Sequence, residues 1–253
     1  MRFDIITLFP EIFNALKSGI TGRAIEQKII EVHCWNPRDY THSIHKRVDD
    51  RPYGGGPGMV MQYQPLHDAI MAARAANPVK SKVIYLSPQG KLLTQKKIHG
   101  LSTQTDQRFI LLAGRYEGID ERVLQSLVDE EWSIGDYVLT GGELPAMVMI
   151  DAITRLLPNA LGDENSALQD SFENGLLDHP HYTRPETIDG MTVPSVLQSG
   201  DHAAIAAWRE KESLGKTWQK RPDLLKRRVL NDHERKLLQL FINDTILGGN
   251  KFS

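Results

Sequence analysis

The chain has 253 residues, of which 40% are hydrophobic and 25% charged, with a formal net charge of -2. This is the balance of an ordinary soluble protein with one large domain, or a large and a small one; it argues against overall disorder and against nucleic-acid binding through bulk charge, though averaging can hide a basic patch. The single cysteine, Cys34, excludes an internal disulfide and fits a reducing compartment.

The opening "MRFDIITLFP" carries Asp4 inside an apolar run and lacks a small-residue cleavage site. It therefore reads as a first strand and not as a secretory signal, and a cytoplasmic protein is expected. Pro10 stands where a helix would begin, and "EIFNALKSG" follows with Gly19 as its stop. "EVHCWN" reads as a strand that buries Cys34. Three further units repeat the order of strand and helix: "KVIYLS" before "LLTQKKIHGL", "RFILLAG" before "RYEGIDERVLQSLVD", and "EWSIGDYVL" before Gly141-Gly142 and a helix starting near Leu144. Such alternation, with nearly continuous apolar strands, predicts an α/β layer with a parallel sheet covered on both faces. The apolar stretch "LPAMVMIDAITRLLP" is too short for a bilayer, which takes about 20 apolar residues, so no membrane role is expected. Between residues 162 and 178 the chain carries five acidic residues and no basic one. We read residues 162–177 as a flexible acidic linker joining a domain over 1–161 to a smaller helical domain over 178–253.

Standard phosphate motifs are missing: no G-x-G-x-x-G follows a strand, and "QGKLLT" lacks P-loop spacing. His42 and His45 in "HSIH", and His179 and His181 in "HPH", have no partner cluster with zinc-type spacing, so they read as solvated loop residues and no metal is expected there. What remains is three glycine-bearing turns, "YLSPQG" (85–90), "AGRYEGID" (113–120) and "IGDYVLTGGELP" (134–145), each after a predicted strand. In a parallel sheet such turns lie on one edge and can converge on one ligand. Glycine lets the backbone approach a flat molecule closely, although turn geometry alone also selects it. Glu143, beside the last helix start, suits the positive end of the helix dipole as well as it suits a ligand.

Together with "DSFENGLLDHPHYTRP", these segments closely resemble the bacterial tRNA (guanine-N1)-methyltransferases, a trefoil-knotted family that uses S-adenosylmethionine. The resemblance runs from "DIITLFPEIF" to about Pro185 and more loosely into the helical tail. It implies a parallel α/β sheet with a deep knot, an exception to the rule that chains do not thread their own loops, followed by a small α-helical C-terminal domain. It also implies methylation of ring nitrogen 1 of the guanosine immediately 3′ of the anticodon. Leu86, Ser87, Pro88, Gly90, Gly114, Ile134, Gly135, Asp136, Tyr137, Val138, Leu139, Gly141 and Pro145 would then hold the S-adenosylmethionine.

On the same resemblance Asp170 is the general base, Arg155 stabilises charge on the guanine oxygen, and Glu117 orients substrate or cofactor. Asp50, Asp178 and His181 would contact the substrate. Read without the resemblance, Arg155 is an ordinary ion-pair partner for Asp151, four residues earlier on one helix. The family further implies a homodimer whose active site spans the subunits and a requirement for magnesium, for which no carboxylate cluster in the sequence forms a cage. The stretch "KTWQKRPDLLKRR" (216–228) sets six basic residues and Trp218 against Asp223 alone, a candidate surface for tRNA. Two rival readings are a knotted methyltransferase for another RNA position and a non-catalytic RNA-binding protein.

Overall fold

The protein is described by a computed structural model over residues 1–104, 108–162 and 170–248. The chain divides into two compact units, Met1–Glu164 and Asn165–Ser253.

In the first unit β1 (Arg2–Ile6) leads into a 3-10 segment (Pro10–Lys17) and α1 (Gly19–Glu26), followed by β2 (Glu31–Trp35). A short antiparallel pair, β3 (Asp49–Asp50) and β4 (Val60–Met61), precedes α2 (Tyr63–Ala75). Then come β5 (Ser81–Leu92), α3 (Gln95–Ser102), β6 (Arg108–Ala113), α4 (Glu121–Leu127), β7 (Glu130–Ser133) and α5 (Glu143–Thr154). The main sheet has the order β2-β1-β6-β5-β7 with every neighbouring pair parallel. Alternation along the strands sends Phe3, Ile5, Ile84, Phe109 and Leu111 to one face, under Ala24 of α1, Ile98 of α3 and Met149, Ile150 and Ile153 of α5. Ile6, Val83, Ile110 and Leu112 face the other way, against Leu66 and Ile70 of α2 and Val123 of α4. Every residue of β6 is buried, as expected of a central strand with helices on both sides.

Several expectations need correction. The structure begun at Pro10 does stop before Gly19, as a 3-10 segment ending at Lys17, but Gly19 also opens a further helix, α1. At φ 65° it is the first residue of α1, and it separates the two helical pieces. Cys34 lies in a strand but is exposed, because β2 forms the sheet edge and most of its side chains lack a covering layer. The strand predicted through "EWSIGDYVL" stops at Ser133, where the Ser133 hydroxyl donates to the Gly135 carbonyl and accepts from the Gly135 N–H, turning the chain.

The largest departure is in "YLSPQG", which is an excursion within β5 and not a turn after it. Leu86 and Lys91 both pair with Trp132 of β7, so Ser87–Gly90 are looped out of the ladder before it resumes. At Gly90 the returning chain runs against the backbone of β7: an added Cβ would lie 2.6 Å from the carbonyl carbon of Glu131 and overlap the Trp132 nitrogen. Backbone on both sides cannot yield as a side-chain tip could. Gly90→Ala is therefore expected to cost about 1–3 kcal/mol, a drop of roughly 2–12 °C in melting temperature. An unchanged melting temperature by calorimetry would show that the crossing is looser than described.

Among its described residues the second unit has a small antiparallel pair, β8 (Thr187–Ile188) and β9 (Met191–Thr192), which was not expected, and three α-helices, α6 (His202–Lys220), α7 (Pro222–Lys226) and α8 (Asp232–Gly248). Leu176, Leu214 and Leu237 form its core. Residues 163–169 of the expected linker lie outside the described residues. From Asp170 the chain makes tight turns, with the Phe172 N–H donating to the Leu176 carbonyl at 2.7 Å and the Leu177 N–H to the Thr217 hydroxyl at 2.8 Å. Among the described residues no helix is long and apolar enough to cross a membrane.

Candidate active site

Because the five strands are parallel, the excursion of β5 and the turns that follow β6 and β7 meet at one edge of the sheet. There they enclose a half-open cleft of about 160 Å³. Eleven of the thirteen residues expected to hold the donor line it: Leu86, Ser87 and Pro88 from the β5 excursion, Gly114 after β6, Ile134, Gly135, Tyr137, Val138, Leu139 and Gly141 after β7, and Pro145 in α5. Gly90 and Asp136 do not. Gly90 is committed to the close crossing with β7, and Asp136 is exposed in the turn.

Glu117 also lines the cleft from the turn after β6, its N–H donating to the Met59 carbonyl at 3.0 Å. Asp50 is exposed in β3, where it accepts from the Arg51 N–H, and it is not on the cleft wall. Arg155 caps the end of α5, half-buried, its N–H donating to the Asp151 carbonyl. Asp170, Asp178 and His181 belong to the second unit.

The cleft holds its shape through contacts that no local pattern announces. Glu143, the first residue of α5, is 1% exposed. Its carboxylate accepts from the Thr7 hydroxyl at 3.0 Å and lies 2.9 Å from the Arg115 guanidinium, a charge contact without good hydrogen-bond alignment. Arg115 also donates to the Thr140 carbonyl at 3.1 Å and stands over the Phe9 ring. Glu143 is thus neither a solvated cap nor a group facing the cleft, but a buried tie between the end of β1, the turn after β6 and the glycine pair. Gly142 approaches the backbone closely here: its N–H donates to the Gly114 carbonyl at 3.0 Å, and an added Cβ would stand 2.7 Å from the Ala113 Cα. On the wall, burial and the nearby Glu131 carboxylate push the Tyr85 phenol up to about 12, so it stays a neutral hydroxyl at working pH.

In the second unit the structure brings together three side chains whose histidines were expected to lack partners. The Asp178 carboxylate lies 2.8 Å from the His181 Nε2 and 3.4 Å from the His179 Nδ1. Burial opposes the Asp178 charge, but bonds from His181 and the His179 N–H outweigh it and hold the carboxyl below its usual range. Burial pulls the His179 imidazole down, favouring its neutral form.

The basic stretch is smaller than its sequence implied. Arg228 is held by Glu234 and the Asn174 carbonyl, and Arg221 is paired with Asp223 at 2.8 Å. Lys220, Lys226 and Arg227 are exposed, and so is Trp218, which is therefore a surface aromatic and not a core one.

Comparison with known proteins shows what the chain is similar to. A family model described as tRNA (Guanine-1)-methyltransferase TrmD matches residues 1–227. A protein of Aeromonas hydrophila named tRNA (guanine-N(1)-)-methyltransferase is 59% identical over 245 residues, covering 96% of this chain and 98% of its own. Proteins of the same name from Coxiella burnetii and Pseudomonas putida are 61% and 60% identical, covering 95% and 96% of this chain and 97% of their own. The match spans both units and nearly the full length of each relative, so this chain belongs to the tRNA (Guanine-1)-methyltransferase TrmD family.

Proposed function

We propose that this protein transfers a methyl group from S-adenosylmethionine to ring nitrogen 1 of the guanosine immediately 3′ of the anticodon in tRNA. The observation that carries the reading is the meeting of three glycine-bearing turns in one cleft at the sheet edge, in a chain whose relatives are named for guanine-N1 methylation of tRNA. The lining suits such a donor. Leu86, Pro88, Ile134, Leu139 and Pro145 offer apolar walls for a purine, backbone groups around Gly114, Gly135 and Gly141 offer donors and acceptors at its edge, and Glu117 offers a carboxylate to a cationic group. When bound, S-adenosylmethionine supplies an electrophilic methyl carbon. The knot belongs to this reading. Its support is the excursion of β5 away from β7 and back, and the tight passage of Gly142 against the turn after β6.

Two groups of the chain must serve the guanine. The ring nitrogen carries a proton that has to leave, and negative charge then shifts towards the exocyclic oxygen. We assign the proton to the Asp170 carboxylate and the oxygen to the Arg155 guanidinium, whose planar donors fit an oxyanion better than an ammonium would. Exposed Lys220, Lys226, Arg227 and Trp218 suit a phosphate backbone and an unpaired base. A homodimer with a shared site completes the proposal. Among the described residues, the grouping able to hold a metal ion has two imidazoles and one carboxylate, an unsuitable set for magnesium, so no step is assigned to that ion.

The decisive experiment incubates the purified protein with a labelled methyl donor and an unmodified tRNA transcript, then maps the labelled nucleotide. Label on nitrogen 1 of the guanosine next to the anticodon is expected. Label on another nucleotide or on a ribose supports the rival methyltransferase, and no label together with no donor binding by calorimetry supports the non-catalytic RNA-binding protein.

A further inference from the structure

We propose that Asp178, His179 and His181 form a binding site for one divalent transition-metal ion of the zinc class. One carboxylate oxygen and two imidazole nitrogens lie within 4.8 Å of one another. The His181 Nε2 is 2.8 Å and the His179 Nδ1 3.4 Å from oxygens of the same Asp178 carboxylate. An ion with bonds of about 2.0–2.2 Å in tetrahedral geometry sets its ligand atoms roughly 3.3 Å apart, and each imidazole stands within about half an ångström of that spacing from one of the two carboxylate oxygens, His181 from Oδ2 and His179 from Oδ1.

A second observation points the same way. His179 is 7% exposed, and its Nδ1 is buried with no hydrogen-bond partner although it faces the carboxylate. A buried polar atom left unpaired is costly, and a metal bond at that nitrogen would remove the cost.

The surroundings hold the set in place while leaving a way in. The Asp178 N–H donates to the Ser171 hydroxyl at 3.0 Å and the His179 N–H to the Asp178 carboxylate at 2.7 Å, which fixes the backbone at these two residues. The two imidazoles meet edge to face at 4.4 Å between centroids, and Trp208 stands beside His179 at 6.4 Å. The side chain of His181 is 69% exposed and that of Asp178 28% exposed, so solvent reaches the open side, where a water would complete four-coordination. Two imidazoles and one carboxylate select zinc, cobalt or nickel over magnesium, which asks for six oxygens in near-octahedral geometry. The inference needs no step of the proposed methyl transfer, because binding is read with neither tRNA nor methyl donor present.

The test uses the tag-free full chain, freed of metal with a chelator and titrated with cobalt(II) chloride while visible absorption is followed, then with zinc chloride as competitor. We expect one equivalent bound with a micromolar or tighter dissociation constant, d–d bands of a low-coordinate cobalt site, and their loss when zinc is added. Asp178→Asn and His181→Ala should each weaken binding by about tenfold or more, while the paired variant His42→Ala with His45→Ala should not. Because His181 is exposed, its variant is expected to fold, which far-UV circular dichroism checks. Failure to take up either ion overturns the proposal, as do binding that survives both ligand variants and displacement by millimolar magnesium.

Discussion

Asp170→Asn is expected to lower methyl transfer to tRNA by about 10²–10⁴-fold while leaving the affinity for S-adenosylmethionine within about twofold of the unchanged chain. The amide has nearly the shape of the carboxylate and can accept a hydrogen bond from the guanine ring N–H, but it cannot take the proton. Without a lone pair freed at that nitrogen, the methyl carbon has no nucleophile to meet. Donor affinity is expected to survive because Asp170 is not among the residues that line the cleft. Single-turnover rates and calorimetric titration separate the two effects. A variant that keeps more than a tenth of the rate sinks the assignment of the base, and one that loses donor affinity moves Asp170 from proton transfer to binding.

How far the sequence foretold these features depends on how local their causes are. The central strand "RFILLA" declared itself because both of its faces are covered, which demands an unbroken apolar run. The convergence of three turns followed from the parallel order of the strands alone, and the cleft lies where that order puts it. What stayed hidden has distant partners. Nothing near Glu143 announces that Thr7 and Arg115 will bury it, so dipole capping was as good a reading as any. Gly90 looked like a ligand-facing glycine, yet the constraint on it is the backbone of β7, forty residues on in a pairing that resumes after an excursion. Arg228 reads in the sequence as part of a basic surface, but Glu234 and the Asn174 carbonyl occupy it. The triad of Asp178, His179 and His181 escaped for the opposite reason. Its members are close in sequence, but the spacing falls outside the usual zinc patterns, and only the folded chain brings their ligand atoms within 4.8 Å of one another.

Asp4→Asn is expected to destabilise the protein by about 3–5 kcal/mol, the cost of leaving a buried charge without its counter-ion. Asp4 stands inside an apolar strand and is 0% exposed, which would be ruinous alone. Its carboxylate accepts from the Arg108 guanidinium at 2.6 Å, from Arg2 at 2.9 and 3.0 Å and from the Trp35 indole at 2.8 Å, so three strands meet at it. Arg108 is 1% exposed and also donates to the carbonyls of Ala73, Arg74 and Asn77 at the end of α2. Against a typical total stability of about 5–15 kcal/mol, that loss takes a large share of the margin. Burial works against the Asp4 charge, but the bonds from Arg2, Arg108 and Trp35 outweigh it and hold its pKa below the ordinary 3.8. A carboxyl depressed on folding contributes its full stability above the unfolded value and loses it as pH falls through the lower, folded value. Urea denaturation followed by tryptophan fluorescence should therefore show a stability that declines below about pH 4 in the unchanged chain, and an Asp4 component of that decline that vanishes in Asp4→Asn. The double variant Asp4→Asn with Arg108→Met, which removes the stranded cation as well, should recover a substantial part of the loss. A single-variant loss under about 1 kcal/mol would mean that Arg108 reaches water once its partner is gone, and that the ion pair is not what holds β1, β2 and β6 together.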